Sequence, residues 1–249
     1  MTPSATHLVL IPSYNAGPLL ARTLAEARAA WAPVWVVLDG STDGSEATLP
    51  PEDAAFRLLR LPRNQGKGGA VEHALRQAQA AGFSHALVMD SDAQHPAHRI
   101  GAFMAASQGN PAAMVLGQPI FGPDAPLLRV YWRRLSNGWA KLETLGAGLA
   151  DSLFGFRVYP IGPLLQAMGQ SRFMRRFDFD PEVAVRLSWL GVPALNLPAP
   201  VRYLAPTQGG VSHFRYARDN ALLIFMHLRL TAGLLRRLPT LLRRRFSGA

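Results

Sequence analysis

The chain has 249 residues, 49% hydrophobic and 17% charged, with no cysteine and a formal net charge of +10. Such a composition fits a folded chain of one large α/β domain or two small ones, not a disordered one. The missing cysteines exclude disulfides and thiolate zinc sites. The charge is uneven: residues 211–249 hold eight Arg and one acid, Asp219, a local +7 that leaves +3 for the other 210 residues. A near-neutral body with a basic end argues against a nucleic-acid binder. Met1 to His7 lack a basic segment followed by an apolar one, so no signal peptide is expected. No stretch offers 18 consecutive apolar residues, so no plain transmembrane helix is expected either.

In chain order, His7–Ile11 reads as a buried strand ended by Pro12-Ser13-Tyr14-Asn15, and Leu20, Leu24, Ala27 and Trp31 follow at helical spacing. Val34–Leu38 is a second strand, ended by Asp39-Gly40-Ser41-Thr42-Asp43-Gly44, and Phe56–Leu61 a shorter third. Gly68–Ala81 reads as a helix, Ala86–Met89 as a buried strand, His98–Ser107 as a helix and Ala112–Gly117 as a strand. Strands alternating with helices through short links predict a mostly parallel sheet covered on both faces. Beyond the Pro/Gly-rich link Gln118–Pro126, the pattern predicts a helix from Leu128 to about Leu145 and a strand over Asp151–Arg157. Helices near Pro163–Met168 and Pro181–Leu190 follow, then strand-like pieces at Ala194–Leu197 and Val201–Tyr203. The main boundary is expected at Ala205–Gly210. That divides the chain into residues 1–206, with halves 1–118 and 119–206, and a tail, 207–249.

Asp90-Ser91-Asp92-Ala93-Gln94-His95 stands where the Ala86–Met89 strand gives way to a loop, the edge at which open α/β sheets bind ligands. If the segment stays extended, Asp90, Asp92 and Gln94 project to one side and offer oxygen ligands to Mg²⁺ or Mn²⁺. A second Asp-x-Asp, Asp178-Phe179-Asp180, shows that the pair alone is weak evidence. Asn64-Gln65-Gly66-Lys67-Gly68-Gly69 matches neither the Walker nor the dinucleotide fingerprint. It is a glycine-rich loop opening a helix, with backbone N–H groups and one ammonium suited to an anion. A plain helix-start loop is the alternative.

Three strand-end loops together with Lys67 resemble the family-2 glycosyltransferases of GT-A fold, and among them the polyprenyl-phosphate sugar transferases. The resemblance spans residues 7–204. It rests on Ile11-Pro12-Ser13-Tyr14-Asn15, Asp39-Gly40-Ser41-Thr42-Asp43, Asn64-Gln65-Gly66-Lys67-Gly68, Asp90 to His95, and Asp151 to Arg157. It implies a donor site for a nucleotide-diphosphate-sugar built from Pro12, Tyr14, Asn15, Asp39, Lys67 and Asp90. It also implies a divalent cation, Mg²⁺ or Mn²⁺, on Asp92 and Gln94 with Asp90 in support. The chain departs from the family at Leu38, where an Asp is common, at Ala16 in place of Glu, and at Gln118-Pro119 in place of Ser-Arg.

On the acceptor side, Asp180 and Glu182 are the candidate general bases, or the start of a helix capped by Asp180 ahead of Pro181. A phosphate acceptor needs no base and calls for arginine clamps, for which Arg129, Arg133, Arg134 and Arg157 are candidates. Residues 221–238 carry ten Leu, Ile, Phe or Met, interrupted by His227, Arg229, Arg236 and Arg237. Three arginines cost about 9 kcal/mol to bury in a bilayer and ten apolar side chains return only about 3–6. An interfacial helix on an anionic membrane, helped by Arg243-Arg244-Arg245, is favoured over a spanning one; a core helix with a basic end is the alternative. The sequence thus predicts an inverting, metal-dependent glycosyltransferase with a lipid-linked acceptor, polyprenyl phosphate first, working at the cytoplasmic face of a bacterial inner membrane. A hydroxyl of another lipid is the second choice, and a nucleotidyltransferase or a non-catalytic lipid-binding module are remoter ones.

Overall fold

The computed structural model describes residues 2–122, 127–202 and 216–247, with 127–130, 216–218 and 245–247 described by backbone only. Strands β1 (His7–Ser13), β2 (Val34–Asp39), β3 (Phe56–Leu61), β4 (His85–Val88), β5 (Met114–Ile120), β6 (Arg157–Pro160) and β7 (Ala194–Pro200) form one sheet. Their spatial order is β3-β2-β1-β4-β6-β5-β7, with β6 antiparallel to both neighbours and every other pair parallel. The helices are α1 (Pro18–Ala30), α2 (Lys67–Ala80), α3 (Ile100–Gly109), α4 (Leu127–Glu143), α5 (Ile161–Gly169), α6 (Phe179–Leu190) and α7 (Tyr216–Ser247).

The alternation of side chains along each strand divides the core between two faces. Leu8 and Leu10 of β1 pack with Ala74, Leu164, Val183 and Leu230, from α2, α5, α6 and α7. Val9 and Ile11 pack with Leu24 and Phe103, from α1 and α3. β1, β2 and β4 are buried throughout, which is why they read as unbroken apolar runs rather than alternating ones.

Several boundaries move. Asp151–Phe156 is a loop, because the Asp151 carboxylate accepts the N–H groups of Leu153 and Phe154 and ties the backbone into a turn; β6 begins only at Arg157. Ala194–Leu197 extends through Pro200 as one strand, β7. The expected boundary at Ala205–Gly210 lies outside the described residues.

The C-terminal helix is no detached tail. Met226, Leu230 and Leu234, four residues apart, share the core of the sheet's first face. Arg229 forms a two-pronged contact with Glu182 of α6, and Arg244 donates to the Trp189 carbonyl at 2.7 Å. Towards α4, His227 bridges Ser136 at 2.8 Å and Glu143 at 3.1 Å, stacked on Trp139. Among the described residues, no helix is long and apolar enough to cross a membrane.

Candidate active site

The loops after β1 and β2 are tied to each other. Asn15, in a left-handed backbone conformation, accepts the Thr42 N–H on its amide oxygen, while its own N–H donates to the Ser41 hydroxyl. Asp43 caps the Gly17 N–H at 2.7 Å. Tyr14 is exposed. Pro12 is a buried residue of β1 in register with Val37, so it shapes the strand end and its ring lies in the core.

The glycine-lysine loop is held from beneath. Asp39 is buried and its two carboxylate oxygens accept the N–H groups of Gln65 at 2.7 Å and Gly66 at 2.8 Å. Burial raises the Asp39 pKa against the pull of those two amides and of Arg176. The Gly68 N–H donates to the Arg175 carbonyl. Three of the amides expected to cradle an anion are therefore already engaged, and the expectation of an N–H cradle is corrected on that ground. Gly66 has φ +82°, and a Cβ there would collide with the Arg175 carbonyl, so the loop requires glycine.

What the loop presents is the Lys67 ammonium. It lies 2.7 Å from Asp90 Oδ1, at the end of β4, and 2.6 Å from Asp180 Oδ2, in the first turn of α6. Burial disfavours the charge on Lys67, but the two carboxylates outweigh it and raise its pKa. Burial likewise opposes charge on Asp90, where Lys67 prevails and holds its pKa well below the usual carboxylate range. Asp92 moves the other way, raised by burial and by the negative charge of Asp90.

The Asp90–His95 segment is bent rather than extended, with Ala93 at φ +56°, so the expected in-phase projection of residues 90, 92 and 94 fails. The Ala93 N–H donates to Thr23, and Asp92 Oδ1 accepts the Gln94 N–H at 3.1 Å. His95 is buried against Phe154 and Phe156, and its Nδ1 accepts the Asp90 N–H at 2.9 Å. Burial lowers its pKa, which suits that acceptor role. It pins the bend from behind.

Gly155 completes the site from the 151–156 loop. A Cβ there would stand 2.5 Å from Lys67 Nζ, 3.2 Å from Asp90 Oδ2 and 3.4 Å from Asp180 Oδ1. Only a glycine leaves those three groups room to meet. Among the described residues, Ser13 Oγ at the end of β1, Asn64 Oδ1 in the loop before α2 and Asp180 Oδ1 in the first turn of α6 are buried without a hydrogen-bond partner, as are Arg99 Nε and Arg229 Nε elsewhere. Native proteins seldom leave such atoms idle away from a ligand site.

Two expected roles are corrected by burial. Arg157 is fully buried, donating to the carbonyls of Phe154 and Asp180, both at 2.6 Å, and to the Tyr159 hydroxyl at 3.1 Å. It ties the Gly155 loop to the start of α6 and is out of an acceptor's reach. Glu182 is fully buried too, held by Arg186, Arg229 and Ser171, and so cannot act as an exposed base. Asp180 does not cap α6; the helix begins at Phe179 with Asp178 before it. Arg133 pairs with Asp151 at 2.6 Å, Arg134 is exposed, and the side chain of Arg129 lies outside the described residues. Sequence reasoning passed over Ser13, Asn64, His95 and Gly155 as site residues. Their signal was only their place within loops already singled out.

The model for the family described as glycosyl transferase family 2 matches residues 8–159, well over half of the chain. The chain belongs to that family and is a glycosyltransferase. Asp180 lies beyond the matched span. No curated protein matches the chain significantly. Among solved structures, glucosyl-3-phosphoglycerate synthase from Mycobacterium tuberculosis, in complex with Mn²⁺, UDP-glucose and phosphoglyceric acid, is similar with a TM-score of 0.61 at 16% identity, over 94% of this chain and 80% of that one. The same synthase with UDP has a TM-score of 0.60 at 18% identity, with the same coverage of each chain. S. aureus TarS 1–349 in complex with UDP-GlcNAc has a TM-score of 0.57 at 15% identity, over 97% of this chain and 73% of that one. At such identities the likeness concerns the fold.

Proposed function

We propose that this glycosyltransferase moves a sugar, with inversion, from a nucleotide-diphosphate-sugar to a lipid-linked acceptor with the help of a divalent cation. The observation that carries the reading is the meeting of Lys67, Asp90 and Asp180, with Asp92 alongside, where the start of α2, the loop after β4 and the start of α6 come together. The solved structures of similar fold that contain Mn²⁺ or a uridine-diphosphate donor support the same class of donor.

A hard cation fits the residues present. Burial and then the charge of Asp90 raise the Asp92 pKa, and Gln94 adds an amide oxygen two residues on. Among the described residues, no three His, Cys, Asp or Glu side chains form a metal-holding group; Asp90, Asp92 and Gln94 are the residues that would hold the ion. Bound there, Mg²⁺ or Mn²⁺ would stabilise the charge that grows on a departing nucleoside diphosphate. Lys67 keeps Asp90 ionised and oriented for that task.

Polyprenyl phosphate is the first acceptor, since a phosphate is already an anion and needs no base. A lipid hydroxyl is the second, and two observations favour it: Arg133 and Arg157 are engaged within the protein, and Asp180 Oδ1 has no hydrogen-bond partner. A panel of nucleotide-sugars assayed with Mn²⁺ for thermal stabilisation and for hydrolysis tests the donor half. One donor should raise the melting temperature in a Mn²⁺-dependent way; no response from any donor refutes the reading.

A further inference from the structure

α7 is apolar on two sides. Its inner side, with Met226, Leu230 and Leu234, belongs to the core. Its outer side carries Phe225, Leu228, Leu235 and Leu242, three, seven and seven residues apart and hence on one side of a helix, and these are exposed, Leu235 by 66%. α4 runs alongside, joined to α7 through Ser136–His227 and Trp139–Thr231. It exposes a second stripe, with Tyr131 at 63% and Leu135 and Leu142 also exposed. Monomeric proteins rarely leave apolar stripes side by side without a partner.

The basic groups decide the partner. Arg229, Arg237 and Arg244 of α7 turn inward, to Glu182, to the Trp189 ring and to the Trp189 carbonyl. Arg236 and Arg243 of α7 and Arg134 and Lys141 of α4 are instead exposed and lie beside the apolar stripes. Exposed cations beside an apolar stripe match the headgroups and acyl boundary of an anionic bilayer. A twofold dimer through this face would bring the same cations of two copies together, on a chain that already carries +10.

We propose that the outer faces of α4 and α7 together form a seat on an anionic membrane surface, with both helices lying in its plane. The face is tied to the active site. Arg229 of α7 holds Glu182, two residues after Asp180, and Arg133 of α4 holds the Asp151 loop that carries Gly155. Seated this way, the protein would hold its active site on a body fixed at the membrane surface, where a lipid-borne acceptor resides. That purpose rests on the lipid acceptor proposed above; the seat itself is measured without turnover.

Flotation with vesicles of phosphatidylcholine alone, or mixed with phosphatidylglycerol, tests it on the full chain. Wild type should float with anionic vesicles and at least tenfold less with neutral ones. The pairs Leu228→Asp/Leu235→Asp, on α7, and Tyr131→Asp/Leu135→Asp, on α4, should each lose at least tenfold in binding while keeping the wild-type circular dichroism spectrum. The exposed pair Arg236→Ser/Arg243→Ser, which leaves the core untouched, should lose binding to the anionic vesicles alone. Wild type that stays unbound to anionic vesicles overturns the seat, and so does wild-type binding by the α4 pair. A concentration-dependent dimer that the aspartate pairs dissolve would assign the face to a second copy instead. If vesicle binding holds and no lipid accepts sugar, the acceptor reading fails and the seat stands.

Discussion

Lys67 and Asp180 are separated by 113 residues, yet their charged groups lie 2.6 Å apart. The pair joins the start of α2 to the start of α6, and thereby the family-matched half of the chain to the residues beyond it. Asp90 shares the same ammonium. Removing the lysine leaves the largely buried Asp180 carboxylate facing the partly exposed Asp90.

Lys67→Met should therefore cost about 1–3 kcal/mol of stability, less than breaking a fully buried ion pair because solvent screens Asp90. Lys67→Met/Asp180→Asn should cost less than the sum of the two single changes. Urea unfolding of the four proteins measures both. Additive losses would mean that the pair contributes nothing as a pair.

Gly155→Ala should act on turnover more than on folding. The new methyl group would stand against the Lys67 ammonium and crowd Asp90 and Asp180, displacing the charges without opening a cavity. We expect kcat to fall at least tenfold, with a melting temperature within a few degrees of wild type. Wild-type kcat would show that the three groups need not meet so closely.

Arg157→Ala should be among the more destabilising single changes. It abandons the carbonyls of Phe154 and Asp180 in a site without water access, for a loss of about 3–5 kcal/mol. Arg157→Lys restores the charge but not the planar fork, so it should recover only part of that loss. Chemical denaturation of the two variants ranks them; equal stability would contradict the role given to the fork.

The legible parts of the fold were those that obey simple burial. β1, β2 and β4 are apolar runs because both faces are covered, and the loops at their ends stand out by contrast. Charged residues with structural duties were not legible. Arg157 reads as a phosphate clamp and Glu182 as a base because such groups are rarely fully buried. Only the three-dimensional arrangement shows that one ties a loop to a helix and the other anchors α7. Periodicity also could not tell that α7 uses two of its sides, since an apolar helix with scattered arginines fits both core and interface. The bend at Ala93 likewise depends on Thr23, seventy residues earlier.

His7 supplies a pH prediction remote from the site. It is buried in β1, stacked on His85 at 4.4 Å, and burial chiefly, with the neighbouring His85, lowers its pKa to about 4. Its folded pKa lies below the unfolded value, so between pH 6.5 and 4 the unfolded chain binds more protons. Stability from this group is complete above about pH 6.5, falls as the pH drops, and levels off below about pH 4, with a loss of up to about 3 kcal/mol. Urea titrations across that window should show a shallower slope for His7→Gln than for wild type. Identical slopes would refute the assignment.

The central claim is a metal-dependent transfer that releases a nucleoside diphosphate, and Asp92 is the residue that commits to it. The direct measurement is product analysis with the donor found in the nucleotide-sugar panel, polyprenyl phosphate in anionic vesicles, and Mn²⁺. Wild type should release nucleoside diphosphate in step with lipid-linked sugar, and both products should vanish with EDTA or in the folded Asp92→Ala variant. Release of pyrophosphate, or undiminished transfer by Asp92→Ala, would contradict the account.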